Sequence, residues 1–337
     1  MKMTPGKLAG MKAVSDARGV IAAAAMDQRG SLKKTLAKES GGDVTDAMME
    51  EFKGLVTEVL TPYATAILLD PEWGIGPSKR RSKNAGLLLA YEKTGYDATT
   101  PGRLPDLLDV WSVRRLKEAG ADCLKILLYY TPFDAKPINE LKHAWVERIG
   151  DECRANDLPY FLEFVGYQEG ADEKGLDYAK RKPEVVAGAM REFTQDRYGV
   201  DVMKVEIPIN VQFVEGAAAN TSGQVAYTRN QAKQLFLDAA AASTKPFIYL
   251  SAGVSNAEFT EGLTLAAESG VRFSGVLCGR ATWKDGISVF AKQGPPAFRA
   301  WLETKGVENI KNVNEAVKPA SPWFAVYGAS SADELGS

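Results

Sequence analysis

Residues 201–208 read DVMKVEIP, a strand-like apolar run with Lys204 at its centre and Glu206 two places on. A strand this apolar belongs to a sheet buried on both faces, as when helices cover a parallel sheet. An ammonium group set there is costly unless it is paired, or unless it loses its proton and does chemistry.

Seven further runs of the same kind surround it: GVIAAAAMDQRG (19–30), ATAILLDPEWG (64–74), GLLLAYE (86–92), ADCLKILLYY (121–130), YFLEFVGY (160–167), PFIYLSAGV (246–254) and FSGVLCGRATW (273–283). Helical spacing lies between them. Val44, Met48, Phe52, Leu55, Val56 and Val59 recur at intervals of three and four before Pro62. KPEVV places Pro183 in a predicted first turn, with Val186, Met190 and Phe193 on one face. Thr228 with Gln231, and Ser255 with Glu258, have capping-box spacing, and Gly120, Gly199 and Gly270 stand where helices close before a strand.

Eight βα units in series predict an α/β fold closed as a (β/α)8 TIM barrel, because closure leaves no sheet edge. No G-x-G-x-x-G follows the first run, which argues against an open dinucleotide-binding sheet. Residues 1–18 are expected to add an N-terminal helix under the barrel. Residues 1–330 then form one domain, the loop 74–85 is polar and flexible, and 331–337 is a disordered tail.

Composition narrows the function. The chain has 337 residues, 45% hydrophobic and 25% charged, as soluble globular proteins do. Lys and Arg number 41 against 43 Asp and Glu, for a net charge of −2, so no nucleic-acid partner is indicated. No signal peptide or membrane-length apolar stretch is present, and a cytoplasmic location is expected. Cys123, Cys153 and Cys278 suit reduced thiols, Cys123 and Cys278 as core filler. The single histidine, His143, reads as a surface helix residue, and one histidine makes a catalytic zinc site improbable. Neither metal nor cofactor is expected. Association with further copies of the chain stays open.

Catalytic groups of such barrels come from the C-terminal ends of the strands. There the chain places Asp27, Lys125, Glu163, Lys204 and Glu206. Ion pairs are a poor way to stabilise a core, so a collection spread over several strands points to chemistry. Lysine becomes a nucleophile when desolvation or a neighbouring cation leaves its amine neutral. Either Lys125 or Lys204 then attacks a ketone to form an iminium, with Glu163 and Asp27 moving protons. The last two strands end in LSAGVS (250–255) and CGRATW (278–283), where Ser251, Gly253 and Gly279 allow close backbone approach and Arg280 offers a fork for phosphate.

With these residues placed, the chain resembles the tagatose 1,6-bisphosphate aldolase family of class I, Schiff-base enzymes. MDQRGSLKK, LKILLYY, FLEF, MKVEIP, LSAGVS and VLCGRATW carry the resemblance over nearly the whole chain. It implies a phosphosugar substrate and a Schiff base between Lys204 and dihydroxyacetone phosphate. Glu163 is then the principal acid and base, Lys125 and Asp27 polarise hydroxyls, and Gln28 touches the sugar chain. Ser251, Gly253, Gly279 and Arg280 take one phosphate, and basic residues of a mobile loop the other. For Lys79, Arg80 and Arg81 a solvated charge run outweighs that second-phosphate role. Relatives acting on fructose bisphosphate or 6-deoxy-6-sulfofructose 1-phosphate share a similar catalytic set, and a sugar-phosphate-binding regulator is the rival outside enzymes.

Overall fold

The computed structural model describes residues 2–94 and 99–336. Its centre is a closed barrel of eight parallel strands in chain order. They are β1 (Ile21–Met26), β2 (Ala66–Leu69), β3 (Gly86–Ala90), β4 (Cys123–Tyr129), β5 (Tyr160–Val165), β6 (Val202–Glu206), β7 (Phe247–Leu250) and β8 (Gly275–Cys278). Each falls within one of the eight apolar runs. Ala24 of β1 pairs with both Ile67 of β2 and Cys278 of β8, which closes the ring. Among the described residues no helix is long and apolar enough to cross a membrane.

The helices are α1 (Pro5–Ala13), α2 (Gly30–Ser40), α3 (Asp46–Leu60), α4 (Ile75–Ser78), α5 (Val113–Glu118), α6 (Lys136–Ala155), α7 (Leu176–Phe193), α8 (Arg229–Ala241), α9 (Asn256–Ser269), α10 (Arg280–Trp283), α11 (Ile287–Trp301) and α12 (Val307–Val317). The capping box at Thr228 and Gln231 forms in full, and Gly270 closes α9 in the left-handed conformation that favours glycine.

Inward positions alternate along every strand. Ile21, Ala23, Ala66, Leu88, Cys123, Phe161, Val202, Ile248 and Leu277 fill the lower barrel as an apolar layer. Met11 and Val14, from the N-terminal helix and just after it, join Trp323 and Phe324 beneath. The tail, of which residues 331–336 are described, differs from the expectation of disorder. Leu335 is buried in this same layer, and Met3 donates its N–H to the Leu335 carbonyl at 2.7 Å. Lys2 donates to the Glu334 and Gly336 carbonyls and Lys12 pairs with Asp333, so polar contacts hold the segment alongside Leu335.

Three other expectations are corrected. α7 begins at Leu176, so Pro183 stands inside it and not in its first turn. The carbonyl that a residue-183 N–H would have reached, Ala179, accepts instead from the Tyr227 hydroxyl. The loop 74–85 is ordered: it opens with α4, Arg80 pairs with Glu51, and Arg81 donates to the Ser78 and Ala85 carbonyls. His143 is buried, with Nε2 3.0 Å from the Tyr130 hydroxyl.

Candidate active site

Above the apolar layer the same inward positions turn polar. Glu163 and Lys204 are register partners on β5 and β6, so their side chains leave the sheet side by side on its inner face. Lys125 on β4 pairs with Phe161, two residues below Glu163, and reaches Glu163 from underneath. The result is one carboxylate oxygen, Glu163 Oε2, shared by Lys204 Nζ at 2.7 Å and Lys125 Nζ at 2.8 Å. Lys125 also meets Asp27 at 2.8 Å and Glu92 at 3.0 Å.

Three carboxylates thus surround Lys125, Asp27 and Glu92 as hydrogen-bond acceptors and Glu163 as an ion pair, and its side chain is 0% exposed. It is sealed beneath the floor. Lys204 instead lines a cavity of about 1000 Å³ at the C-terminal ends of the strands, together with Asp27, Gln28, Glu92 and Glu163. The two lysines left as alternatives by the sequence therefore occupy different positions, and only Lys204 faces the space a substrate would enter.

The electrostatics follow from the packing. Burial opposes the charge on Asp27, but Lys125 and Lys204 outweigh it and hold the carboxyl well below the ordinary range. Glu163 is likewise lowered by the same two lysines against the effect of burial. Burial is also the largest influence on Lys125, yet Asp27, Glu163 and Glu92 together raise its pKa well above the usual lysine value. Glu92 goes the other way: burial raises its pKa despite Lys125 and Arg29.

Ser251, Gly253, Gly279 and Arg280 all line the same cavity. Ala252 and Gly253 have φ of 48° and 82°, two successive left-handed residues, and neither amide makes a hydrogen bond within the described residues. Such a turn forms a concave nest of N–H groups suited to an anion. A Cβ on Gly253 would lie 2.8 Å from the Arg280 guanidinium carbon, so glycine is needed for the two to adjoin. Gln28 Oε1 is buried without a partner, leaving an acceptor for a ligand. Lys79, Arg80 and Arg81 do not line the cavity.

Several residues of the site were not among those expected from the sequence. Glu92 continues the inward series Leu88, Ala90 beyond β3, and its place at the end of GLLLAYE was the available signal. Lys284 donates to the Gly253 carbonyl at 2.9 Å and braces the anion turn. Arg29 bonds the Glu92 carbonyl at 2.6 Å and Glu72 at 3.0 Å. Nothing local marks these last two, since the contacts join distant segments.

Residues 21–285 match the DeoC/LacD family aldolase. The tagatose 1,6-diphosphate aldolase 2 of Enterococcus faecalis is 53% identical over 327 residues, covering 96% of this chain and 98% of that protein. The tagatose 1,6-diphosphate aldolase 2 of Streptococcus pyogenes serotype M1 is 53% identical, covering 90% and 93%. The tagatose 1,6-diphosphate aldolase of Listeria monocytogenes serotype 4a is 50% identical, covering 98% and 97%. A barrel closed by eight parallel strands, with a lysine and carboxylates gathered at its mouth, is thus accounted for by descent as well as by chemistry: the chain belongs to the DeoC/LacD family of aldolases.

Proposed function

We propose that the protein reversibly cleaves D-tagatose 1,6-bisphosphate to dihydroxyacetone phosphate and D-glyceraldehyde 3-phosphate through a Schiff base on Lys204. One observation carries the assignment of the nucleophile: Lys204 opens on the cavity beside Glu163, whereas Lys125 is sealed among three carboxylates. The substrate's proximal phosphate sits in the nest at Ala252 and Gly253 with Arg280, and its ketone carbon lies over Lys204.

Attack needs the neutral amine, and Glu163 at 2.7 Å is the nearest acceptor for the proton that Lys204 sheds. The carbinolamine nitrogen is uncharged. At that stage Glu163 has lost one of the two cations that depress it, so the carboxyl best retains a proton when the carbinolamine hydroxyl must leave as water. Departure of water forms the iminium and restores positive charge at the nitrogen. Glu163 then returns to a carboxylate, ready to act as a base. The iminium accepts the electron pair of the adjacent C–C bond as a carboxylate takes the proton of the hydroxyl on the far carbon. The aldehyde departs, the enamine is protonated, and water releases dihydroxyacetone phosphate. Lys34 and Lys174 line the cavity without an ion-pair partner among the described residues, which suits them to the far phosphate.

Borohydride reduction in the presence of dihydroxyacetone phosphate, followed by intact-mass spectrometry, tests this. The wild type should gain one reduced three-carbon adduct, and Lys204→Ala none. An adduct that survives Lys204→Ala overturns the assignment. Repeating the measurement with a panel of ketose phosphates and a sulfonated analogue, alongside kcat/KM, tests the choice of sugar.

A further inference from the structure

We infer that Glu92 is a further substrate-binding residue of this site, a neutral carboxyl that accepts from Lys125 through Oε1 and presents its Oε2–H to a hydroxyl of the open-chain sugar. The inference rests on the aldolase reading above.

The three carboxylates around Lys125 are not equally compensated. Glu163 has two lysines, at 2.7 and 2.8 Å. Asp27 stands 2.8 Å from Lys125. Glu92 has the longest of the Lys125 contacts, 3.0 Å, and the deepest burial of the three, with 5% side-chain exposure against 8% for Glu163 and 10% for Asp27. Arg29 opposes the burial of Glu92 but does not outweigh it. That guanidinium spends its good contacts on Glu72 and on the Glu92 backbone carbonyl, and approaches the Glu92 carboxyl only to 3.6 Å. Of the three carboxylates Glu92 has the weakest close compensation, so a proton resides there before it does on Asp27 or Glu163. Burial, which raises Glu92 toward its protonated form, agrees with this placement.

The second oxygen shows what that proton is for. Glu92 Oε2 is buried and has no hydrogen-bond partner, although the residue lines the cavity. A buried polar atom left unsatisfied at the wall of a binding cavity is completed by a ligand or by water. Asp27, held as an anion by the same Lys125, can only accept. A sugar hydroxyl both donates and accepts, and the Asp27 carboxylate beside a Glu92 O–H meets both needs. A carboxylate at 92 would meet neither the charge balance nor the donor requirement.

Infrared difference spectroscopy between wild type and Glu92→Gln, both at pH 7, reads the proton directly. The wild type should show one protonated-carboxyl C=O stretch that Glu92→Gln lacks. In parallel, Glu92→Ala should lose roughly tenfold to a hundredfold in kcat/KM on tagatose 1,6-bisphosphate, while Glu92→Gln, whose amide still donates, recovers most of that loss. Absence of the stretch, or a Glu92→Gln as impaired as Glu92→Ala, overturns the inference. Borohydride trapping of wild type with dihydroxyacetone phosphate separates the two readings. An adduct formed alongside a failed Glu92 test leaves the aldolase intact, and no adduct removes both.

Discussion

Two buried lysines of this protein, one on a helix and one on a barrel strand, sit in different surroundings. Lys53, on α3, is fully buried and spends its three N–H groups on Asp70 at 2.5 Å and on the carbonyls of Met26 and Gln28, each at 2.8 Å. It does not line the cavity at the barrel mouth. Lys204 is almost as buried, yet its Nζ meets a single carboxylate oxygen and the residue lines the cavity. Burial lowers Lys53 even with Asp70 beside it, so desolvation alone does not mark out the lysine proposed as nucleophile. The difference lies in unfilled hydrogen-bonding capacity beside open space.

The largest effects should come from removing each lysine in turn, because the two losses fall on different observables. Lys204→Met should abolish the borohydride adduct and reduce kcat/KM by about a thousandfold or more, with little change in the urea midpoint. Lys53→Met leaves Asp70 buried without its cation and should cost about 3–5 kcal/mol of stability, while trapped adduct per folded molecule persists. If Lys53→Met abolished the adduct in a protein that remained folded, the distinction between closed and open sites would collapse.

The strands were legible because all eight are runs of apolar residues between helices with clear spacing. Lys125, Glu163 and Lys204 were legible for the same reason, as charges interrupting those runs. Lys53 was not: within EEFKGLV a lysine reads as the polar face of a helix, and only the closure of α3 onto the barrel rim buries it. Glu92 and Asp70 sit just past their strands, where a charge looks like the start of a loop, although Glu92 lines the cavity and Asp70 holds Lys53. The early α7 start was hidden by Pro183, whose placement depends on Tyr227, a residue 44 positions along the chain. The anion turn shows both sides. Its glycine was visible, but the left-handed Ala252 before it was not.

That turn supplies a smaller test on the open side. Gly253→Ala must hold φ at 82°, which costs a residue with a Cβ roughly 1–2 kcal/mol, and the new methyl displaces the Arg280 guanidinium. The expected result is a KM for the bisphosphate raised about tenfold with kcat changed much less, because the loss falls on phosphate binding rather than on the reacting carbon. An equal fall in kcat would place Gly253 nearer to the chemistry than the turn geometry does.

On the closed side the smallest effect comes from a neutral group. Pro183 lacks the N–H that would bond Ala179 within α7, and the Tyr227 hydroxyl takes its place from outside the helix. Tyr227→Phe should therefore cost about 1–3 kcal/mol, the range for leaving a buried carbonyl unsatisfied, with kcat/KM unaffected since the contact lies behind α7. Restoring the donor from within the helix is the decisive control. Pro183→Ala in the Tyr227→Phe background returns an N–H to residue 183 and should recover most of the loss, whereas Pro183→Ala alone makes that N–H compete with a hydroxyl already in place. The resulting double-mutant cycle should show coupling of about 1 kcal/mol; additive effects would mean that the Tyr227 hydroxyl is not completing the helix.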